Sequence, residues 1–247
     1  IVHIANYLVC FSVLQTIRDC ENSYLIGFNT MYLKWNSQTI NDFSDNNINL
    51  LYNDGFLFTR TGKGEMYQTR SLRIDLSKFN LNSENRRILK HTANINLEIS
   101  AIPYTNYHWG IHKLGKDFYT AKFGEKTFSA QKIKELITSK EKSNFNKLLV
   151  YRQKEDDLAV GYVICLETNE LMHYCYPFYD LNSKIKNLGL GMMTKAIVWA
   201  QAHGKKYVYL GSATRKTDTY KLQFEGLEWF DGKNWNTDLE KLKMEIK

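Results

Sequence analysis

The stretch from residue 174 to residue 211 constrains the fold more than any other. Tyr174-Cys-Tyr-Pro-Phe-Tyr-Asp180 sets aromatics at alternate positions, the pattern of a pleated strand. Asn187-Leu-Gly-Leu-Gly-Met-Met193 follows as a glycine turn entering a helix. Met192, Met193, Ala196, Ile197 and Ala200 form an apolar stripe at helical spacing, and Gly204 stops the helix. Tyr207-Val-Tyr-Leu-Gly211 then reads as a short buried strand. The first amides of such a helix point back into the turn, where a phosphate or another anion can sit. Glycine turns before helices are also ordinary structural punctuation, so this turn alone does not assign a ligand.

The chain has 247 residues, enough for one large or two modest domains, and its 43% hydrophobic and 24% charged content is that of a soluble globular protein. A net charge of +7 favours an anionic partner such as nucleic acid, a nucleotide cofactor or anionic lipid, although a lysine-rich surface gives the same number. The four cysteines, Cys10, Cys20, Cys165 and Cys175, include no C-x-x-C pair. No zinc or iron–sulfur site is indicated, and buried thiols fit a reducing, cytoplasmic setting. Residues 1–17 are apolar but broken by Asn6 and Gln15, too short for a membrane span, and read as a first buried element.

Along the chain, Asn41 to Asn49 is polar and reads as a loop, and Asn53-Asp54-Gly55 as a turn before a strand with Phe56 and Phe58. Met66 to Leu76 reads as one strand carrying Arg70 and Arg73. Asn82-Ser83 caps a helix to about Lys90, and Asn94 to Ile99 alternates as a strand. Pro103 marks a soft boundary, giving an N-terminal domain over 1–100 and a second domain over 101–247. In the second, Ala130 to Ser139 is an amphipathic helix, residues 145–151, 157–166 and 171–179 are strands, and Leu227 to Trp235 is a hairpin. The order predicts an α/β (α+β) fold with a mixed, mainly antiparallel sheet. It is similar to the GNAT acyltransferase core, in which the strand before the glycine turn splays from the next one and opens a cleft.

Lys186-Asn-Leu-Gly-Leu-Gly191 resembles the acyl-CoA turn of GNAT enzymes, with Lys186 in the first place. A longer ordered set is more specific: Phe178-Tyr-Asp180, Leu188-Gly189, Tyr207-Val-Tyr-Leu-Gly211, Tyr220-Lys221, Phe224 and Asp231-Gly232. With Gly55-Phe56, Arg60-Thr-Gly62, Tyr67, Arg70, Leu72-Arg73-Ile74, Phe79 and Arg86-Arg87, this set resembles the arginyl- and leucyl-tRNA–protein transferases over roughly residues 50–95 and 170–240. Two departures stand out. Gln68, Thr69, Arg70 and Ser71 lie where that family has cysteines, so no iron–sulfur or metal role carries over. Leu181-Asn182 replaces the Pro-Asp after Asp180, which bears on aminoacyl specificity.

The resemblance implies transfer of an amino acid, arginine first, from aminoacyl-tRNA to the N-terminal amine of acceptor proteins with acidic N-termini. It implies no resident cofactor and no metal, since the charged tRNA is a co-substrate, and no membrane partner. In this reading Asp180, Tyr220, Lys221 and Tyr209 are catalytic, with Asp180 holding a cationic amino acid and Lys221 at the tRNA 3′ end or the oxyanion. Arg60, Arg70, Arg73, Tyr67 and Tyr176 bind substrate, the arginines gripping the acidic acceptor. Lys186, Asn187, Leu188, Gly189 and Gly191, with Arg86 and Arg87, meet tRNA phosphate. Each also has a plain structural reading: turn aspartate, surface lysine, core tyrosine, salt-bridged strand face, solvated helix charge. An acyl-CoA-dependent GNAT N-acyltransferase and a catalytically silent RNA- or degron-binding module are the competing functions. His108 and His112 stand four apart without a third ligand nearby, and His173 reads as a structural strand residue, with a base near pH 7 as the alternative.

Overall fold

Residues that alternate around long apolar runs build the centre of the molecule. The computed structural model describes residues 33–246; the expected first element at 1–17, Cys10 and Cys20 lie outside the described residues. The strands are β1 (Asn36–Thr39), β2 (Phe56–Phe58), β3 (Glu65–Gln68), β4 (Ser71–Asp75), β5 (Ile95–Ala101), β6 (Lys147–Gln153), β7 (Ala159–Glu167), β8 (Leu171–Tyr179), β9 (Tyr207–Ser212), β10 (Leu227–Phe230) and β11 (Trp235–Asn236). The helices are α1 (Asp45–Asn53), α2 (Ser83–His91), α3 (Trp109–Phe123), α4 (Ala130–Thr138), α5 (Leu188–Ala202) and α6 (Leu239–Glu245), with a 3-10 helix at Lys216–Gln223.

Eight strands form one sheet in the order β11-β10-β4-β9-β8-β7-β6-β5, and β1-β3-β2 form a second, small antiparallel sheet. In the large sheet β8 and β9 run parallel and the other neighbours antiparallel. A parallel neighbour needs a long crossover, and α5 supplies it. Central strands are buried on both faces and therefore read as continuous apolar runs, as β7 does from Val160 to Leu166. One face packs Leu149, Val163, Met172 and Val208 against Met192, Ala196 and Ile197 of α5. The other packs Leu148, Val150, Tyr162 and Ile164 against Ile111 and Phe118 of α3 and Ile133, Leu136 and Ile137 of α4. Ile133 and Ile137 are fully buried, and each contributes about 1.5–3 kcal/mol by leaving water. Ser129 starts α4 by accepting the Lys132 N–H at 3.1 Å.

Three readings are corrected. Residues 41–49 are not all loop, because Ser44 accepts the Asn47 N–H and starts α1, which buries Ile48 and Tyr52. Residues 66–76 are two strands: β3 pairs in the small sheet and β4 in the large one. The break lies at Thr69-Arg70, where the Ser71 N–H bonds Thr69 O and the Ser71 hydroxyl bonds Gly55 O. The boundary drawn at residue 100 does not separate two sheets. Strands β4 and β5 from before it pair with β9, β10 and β6 from after it, and residue 33 onward forms one compact unit. Long-range strand pairing is invisible to local pattern, so the loop around Pro103 looked like a boundary.

Candidate functional site

The pairing of β8 with β9 ends early. Leu171, Met172 and His173 face Tyr207, Val208 and Tyr209, and beyond them β8 continues on β7 to Tyr179 while β9 continues on β4 to Ser212. The expected splay is therefore present. A bulge follows at once: Tyr174 faces Cys165 and Tyr176 faces Ile164, so Cys175 is the extra residue. Bulges re-aim side chains, and here Cys175 and Tyr176 both pack toward the α3–α4 face.

Two polar atoms at this fork have no hydrogen-bond partner, His173 Nε2 and the Tyr174 hydroxyl. His173 is 1% exposed and Tyr174 2% exposed, so each orphaned group carries a desolvation cost. His173 Nδ1 is engaged by the Tyr52 hydroxyl at 3.0 Å. Burial first, then the Lys221 cation, pushes the His173 pKa down to about 3, so the ring is neutral.

Lys221 comes to the fork from the 3-10 helix. Its ammonium donates to Ser212 O at 2.9 Å, beyond the last β8–β9 pair, and lies 3.8 Å from Asp218 Oδ1. Burial lowers its pKa and Asp218 opposes that shift. Asp218 Oδ2 accepts the N–H groups of Thr214 and Arg215, both at 3.0 Å, which folds the chain after β9 back over the strand ends. Lys221 is only 9% exposed, so its ammonium does not stand in an open cleft of the kind the fold analogy suggested. Tyr220, beside it, is 44% exposed and stands at the mouth.

Arg60 joins from the loop before β3. Its Nη2 donates to Thr127 O at 2.6 Å, and its guanidinium lies 4.3 Å over Phe128 and 5.6 Å over Tyr176. Tyr119 of α3 completes this wall against Phe128, with ring centres 4.9 Å apart. Arg60, Tyr176, Tyr220 and Lys221 are thus brought to one region.

The other expected residues lie elsewhere or are engaged. Asp180 follows β8 and turns its carboxylate onto the Asn182 N–H at 2.9 Å. Tyr209 is fully buried against Tyr52, its hydroxyl 3.4 Å from Arg73 Nη1. Arg73 is itself buried in the β4–β10 pairing, bound to Glu228 at 2.8 Å and Asn53 at 3.0 Å and stacked on Trp235 at 3.9 Å. Arg70 is tied to Glu245 at 2.7 Å. Tyr67 donates to Glu65 in the small sheet. Arg86 holds Leu81 O, and Arg87 pairs with Glu84 at 2.5 Å on the surface of α2.

The glycine turn has packing reasons of its own. A Cβ on Gly189 would stand 2.8 Å from the Tyr179 hydroxyl, and one on Gly191 would stand 2.4 Å from Thr92 Cγ2. Leu188 is buried in the core, Lys186 is exposed, and Asn187 sits at φ 59° with its amide 3.3 Å from His91. Sequence reasoning missed Tyr174 and Asp218, and its alternative for His173, a base near pH 7, does not fit a ring whose pKa burial pushes down to about 3. The usable signal was position: all three stand beside the ends of paired strands, which period alone does not mark.

Residues 102–231, more than half of the chain, match the family model described as arginine-tRNA-protein transferase, C terminus. The chain belongs to this family of aminoacyl-tRNA–protein transferases. It is an enzyme of that class. The match spans the fork from β7 through β10 and includes Lys221. Among relatives, an aspartate/glutamate leucyltransferase of Saccharophagus degradans is 23% identical over 174 residues, 67% of this chain and 70% of the relative. One of Xylella fastidiosa is 29% identical over 98 residues, 37% of this chain and 38% of the relative. Among solved structures, L-PGS from Bacillus licheniformis superposes with a TM-score of 0.46 at 12% identity, over 81% of this chain and 68% of that one. Among the described residues, no helix of the transferase is long and apolar enough to cross a membrane.

Proposed function

We propose that this transferase moves leucine from leucyl-tRNA to the α-amine of proteins that begin with aspartate or glutamate. The observation that carries the reading is the unpartnered His173 Nε2 near the buried Lys221 cation where β8 leaves β9, with the unpartnered Tyr174 hydroxyl on the next residue. Buried groups without partners suit a site whose partner arrives with the substrate.

The chemistry asks little of the protein. The acceptor nitrogen attacks the ester carbonyl, the bond to the tRNA ribose oxygen breaks, an amide forms, and the amine proton passes to the leaving hydroxyl. The ester is already activated, so no nucleotide is hydrolysed. What remains is orientation and stabilisation of the negative charge on the carbonyl oxygen. The Lys221 ammonium takes the second task and donates toward the leaving oxygen. Tyr220 positions the ester, and Arg60, over Phe128 and Tyr176, faces the acidic acceptor side chain. Entry requires the 3-10 segment to shift, and 3-10 hydrogen bonding is weak enough to allow it. Asp180 orders the turn into α5.

Leucine is favoured over arginine on three grounds. The relatives are named leucyltransferases, and the carboxylate that would have held a cationic side chain, Asp180, is engaged in its own turn. The wall is aromatic and suits an apolar side chain. The test is mass spectrometry of peptides beginning Asp, Glu or Ala after incubation with leucyl-tRNA, arginyl-tRNA or acyl-CoA. Leucyl addition to the Asp and Glu peptides, lost after RNase, is expected. Arginyl addition alone overturns the donor assignment, and acyl transfer without tRNA overturns the reading.

A further inference from the structure

The large sheet ends in two edges of different kinds. On one side β11 has two residues; on the other β5 has seven, and among the described residues no strand lies beyond it. The outer strands of the small sheet, β1 and β2, have four and three. Short strands, bulges, prolines and lysines keep sheet edges from recruiting another chain. None of these protects β5. Its sequence, Ile-Asn-Leu-Glu-Ile-Ser-Ala, holds no proline and no lysine. Its register with β6 is unbroken, unlike those of β6 with β7, β7 with β8 and β4 with β9.

The hydrogen bonds show which way each residue of β5 turns its backbone. Lys154 N–H donates to Asn94 O at 2.9 Å, and Ile102 N–H donates to Asn146 O at 2.9 Å. The same register sets Asn96 opposite Arg152 and Glu98 opposite Val150. Bonded and unbonded pairs alternate along an antiparallel ladder, so the even residues of β5 bond to β6. Leu97, Ile99 and Ala101 therefore turn N–H and C=O outward. The Ile95 carbonyl does so too, while its N–H is held by Thr92 O at 3.0 Å. Side chains divide in the same way. Ile95, Leu97 and Ile99 lie on the α5 side, the last two only half-buried. Asn96 and Glu98 stand exposed on the opposite face.

A two-fold axis at Leu97 makes this edge complementary to itself. Leu97 meets Leu97 of the second copy and Ile95 meets Ile99, so outward backbone groups bond and the half-buried side chains continue the apolar layer. On the other face the Asn96 amide meets the Glu98 carboxylate. That carboxylate now holds Arg152 at 3.1 Å and the Ser100 hydroxyl at 2.8 Å, and it can accept more. An axis at Glu98 would set two carboxylates face to face, which is unfavourable. An axis at Ile99 would set Asn96 against Ile102. A foreign strand would match only the backbone.

We propose that β5 pairs antiparallel with β5 of a second copy of this chain, about a two-fold axis at Leu97. Strands β6 and β7 separate this edge from β8, so the dimer leaves the fork free. The inference stands whether or not the transfer reaction does.

The test is sedimentation equilibrium of the full chain over a range of concentrations. A monomer–dimer equilibrium is expected, and it tightens as salt rises, because each copy carries +7 and the pairing groups are largely neutral. Ile99→Pro removes an outward N–H and no bond to β6, and weakens the dimer about tenfold or more, since the loss occurs at two symmetric positions. Asn96→Glu gains Arg152 within its own chain but opposes Glu98 of the second copy twice over, and also weakens the dimer about tenfold. Met244→Ala, which removes an apolar side chain 79% exposed on α6, leaves it unchanged. Far-UV circular dichroism checks that each variant is folded; if Ile99→Pro is not, the surface variant Asn96→Glu decides alone. A monomer at every concentration overturns the proposal. So does a dimer that Ile99→Pro and Asn96→Glu leave intact, or one that Met244→Ala weakens equally. A dimer lost in Ile99→Pro but indifferent to Asn96→Glu overturns the axis at Leu97.

Discussion

The His173 imidazole is neutral because burial outweighs any partner it has. Tyr52 O accepts the Phe58 N–H at 3.4 Å, so its own proton is free for His173 Nδ1, and the ring proton then belongs on Nε2, pointing at the fork. The folded pKa is depressed from 6.5 to about 3. Below pH 6.5 the unfolded chain therefore takes up a proton that the folded chain refuses until about pH 3. This component of stability is complete above pH 6.5 and falls by up to about 1.4 kcal/mol per pH unit below it. Urea unfolding at pH 7 and pH 5 should show the loss, and the His173 ring resonances should not titrate between pH 8 and pH 5. A ring that titrates near 6.5 would refute the neutral assignment. Lys221→Met should lower kcat by about two orders of magnitude, the scale of one lost oxyanion donor, with little change in the KM for tRNA. A kcat within twofold of the parent would make Lys221 structural. The Tyr-Lys pair was legible as a motif. Which carboxylates Arg70 and Arg73 pair with was not, because Glu245 and Glu228 are 175 and 155 residues away.

At the scale of elements, α5 and the 3-10 helix divide the work. The glycines that open α5 let Tyr179 and Thr92 approach its backbone. Gly191→Ala should destabilise the protein by about 1–3 kcal/mol through overpacking, with Thr92→Ala restoring part of it in denaturant unfolding. Full stability of the single variant would leave the close approach without consequence. The proposed entry route shifts the 3-10 segment: hydrogen exchange across 216–223 should change when leucyl-tRNA binds, while exchange in β7 should not. Unaltered exchange there would mean that the ester does not enter beneath Tyr220. Between strands, Arg73 and Glu228 face each other across β4 and β10. Arg73→Met leaves that carboxylate buried without its closest cation and should cost about 3–5 kcal/mol. Most of these elements were readable from period and caps. The split between β3 and β4 was not, since an apolar run carries no mark of which sheet each part joins.

For the whole molecule, positive charge and a single large sheet are the governing features. With a net charge of +7, affinity for tRNA should fall about tenfold or more between about 50 and 200 mM salt, as released counterions dictate. Binding that ignores salt would remove tRNA as the anionic partner. What the sequence determined by itself was local: the strand, glycine turn, helix and strand from 174 to 211, the caps of α2 and α4, and the ordered motifs that matched the family. These follow from backbone propensity and near-neighbour periodicity, which are written within a few residues. Only the tertiary structure decided that β4 joins β9 and β10, that Arg73 and Arg70 pair with Glu228 and Glu245, and that His173 and Lys221 come together where β8 leaves β9. Such outcomes depend on pairing and burial between segments far apart in the chain, and no local pattern of residues encodes which distant strand will lie alongside.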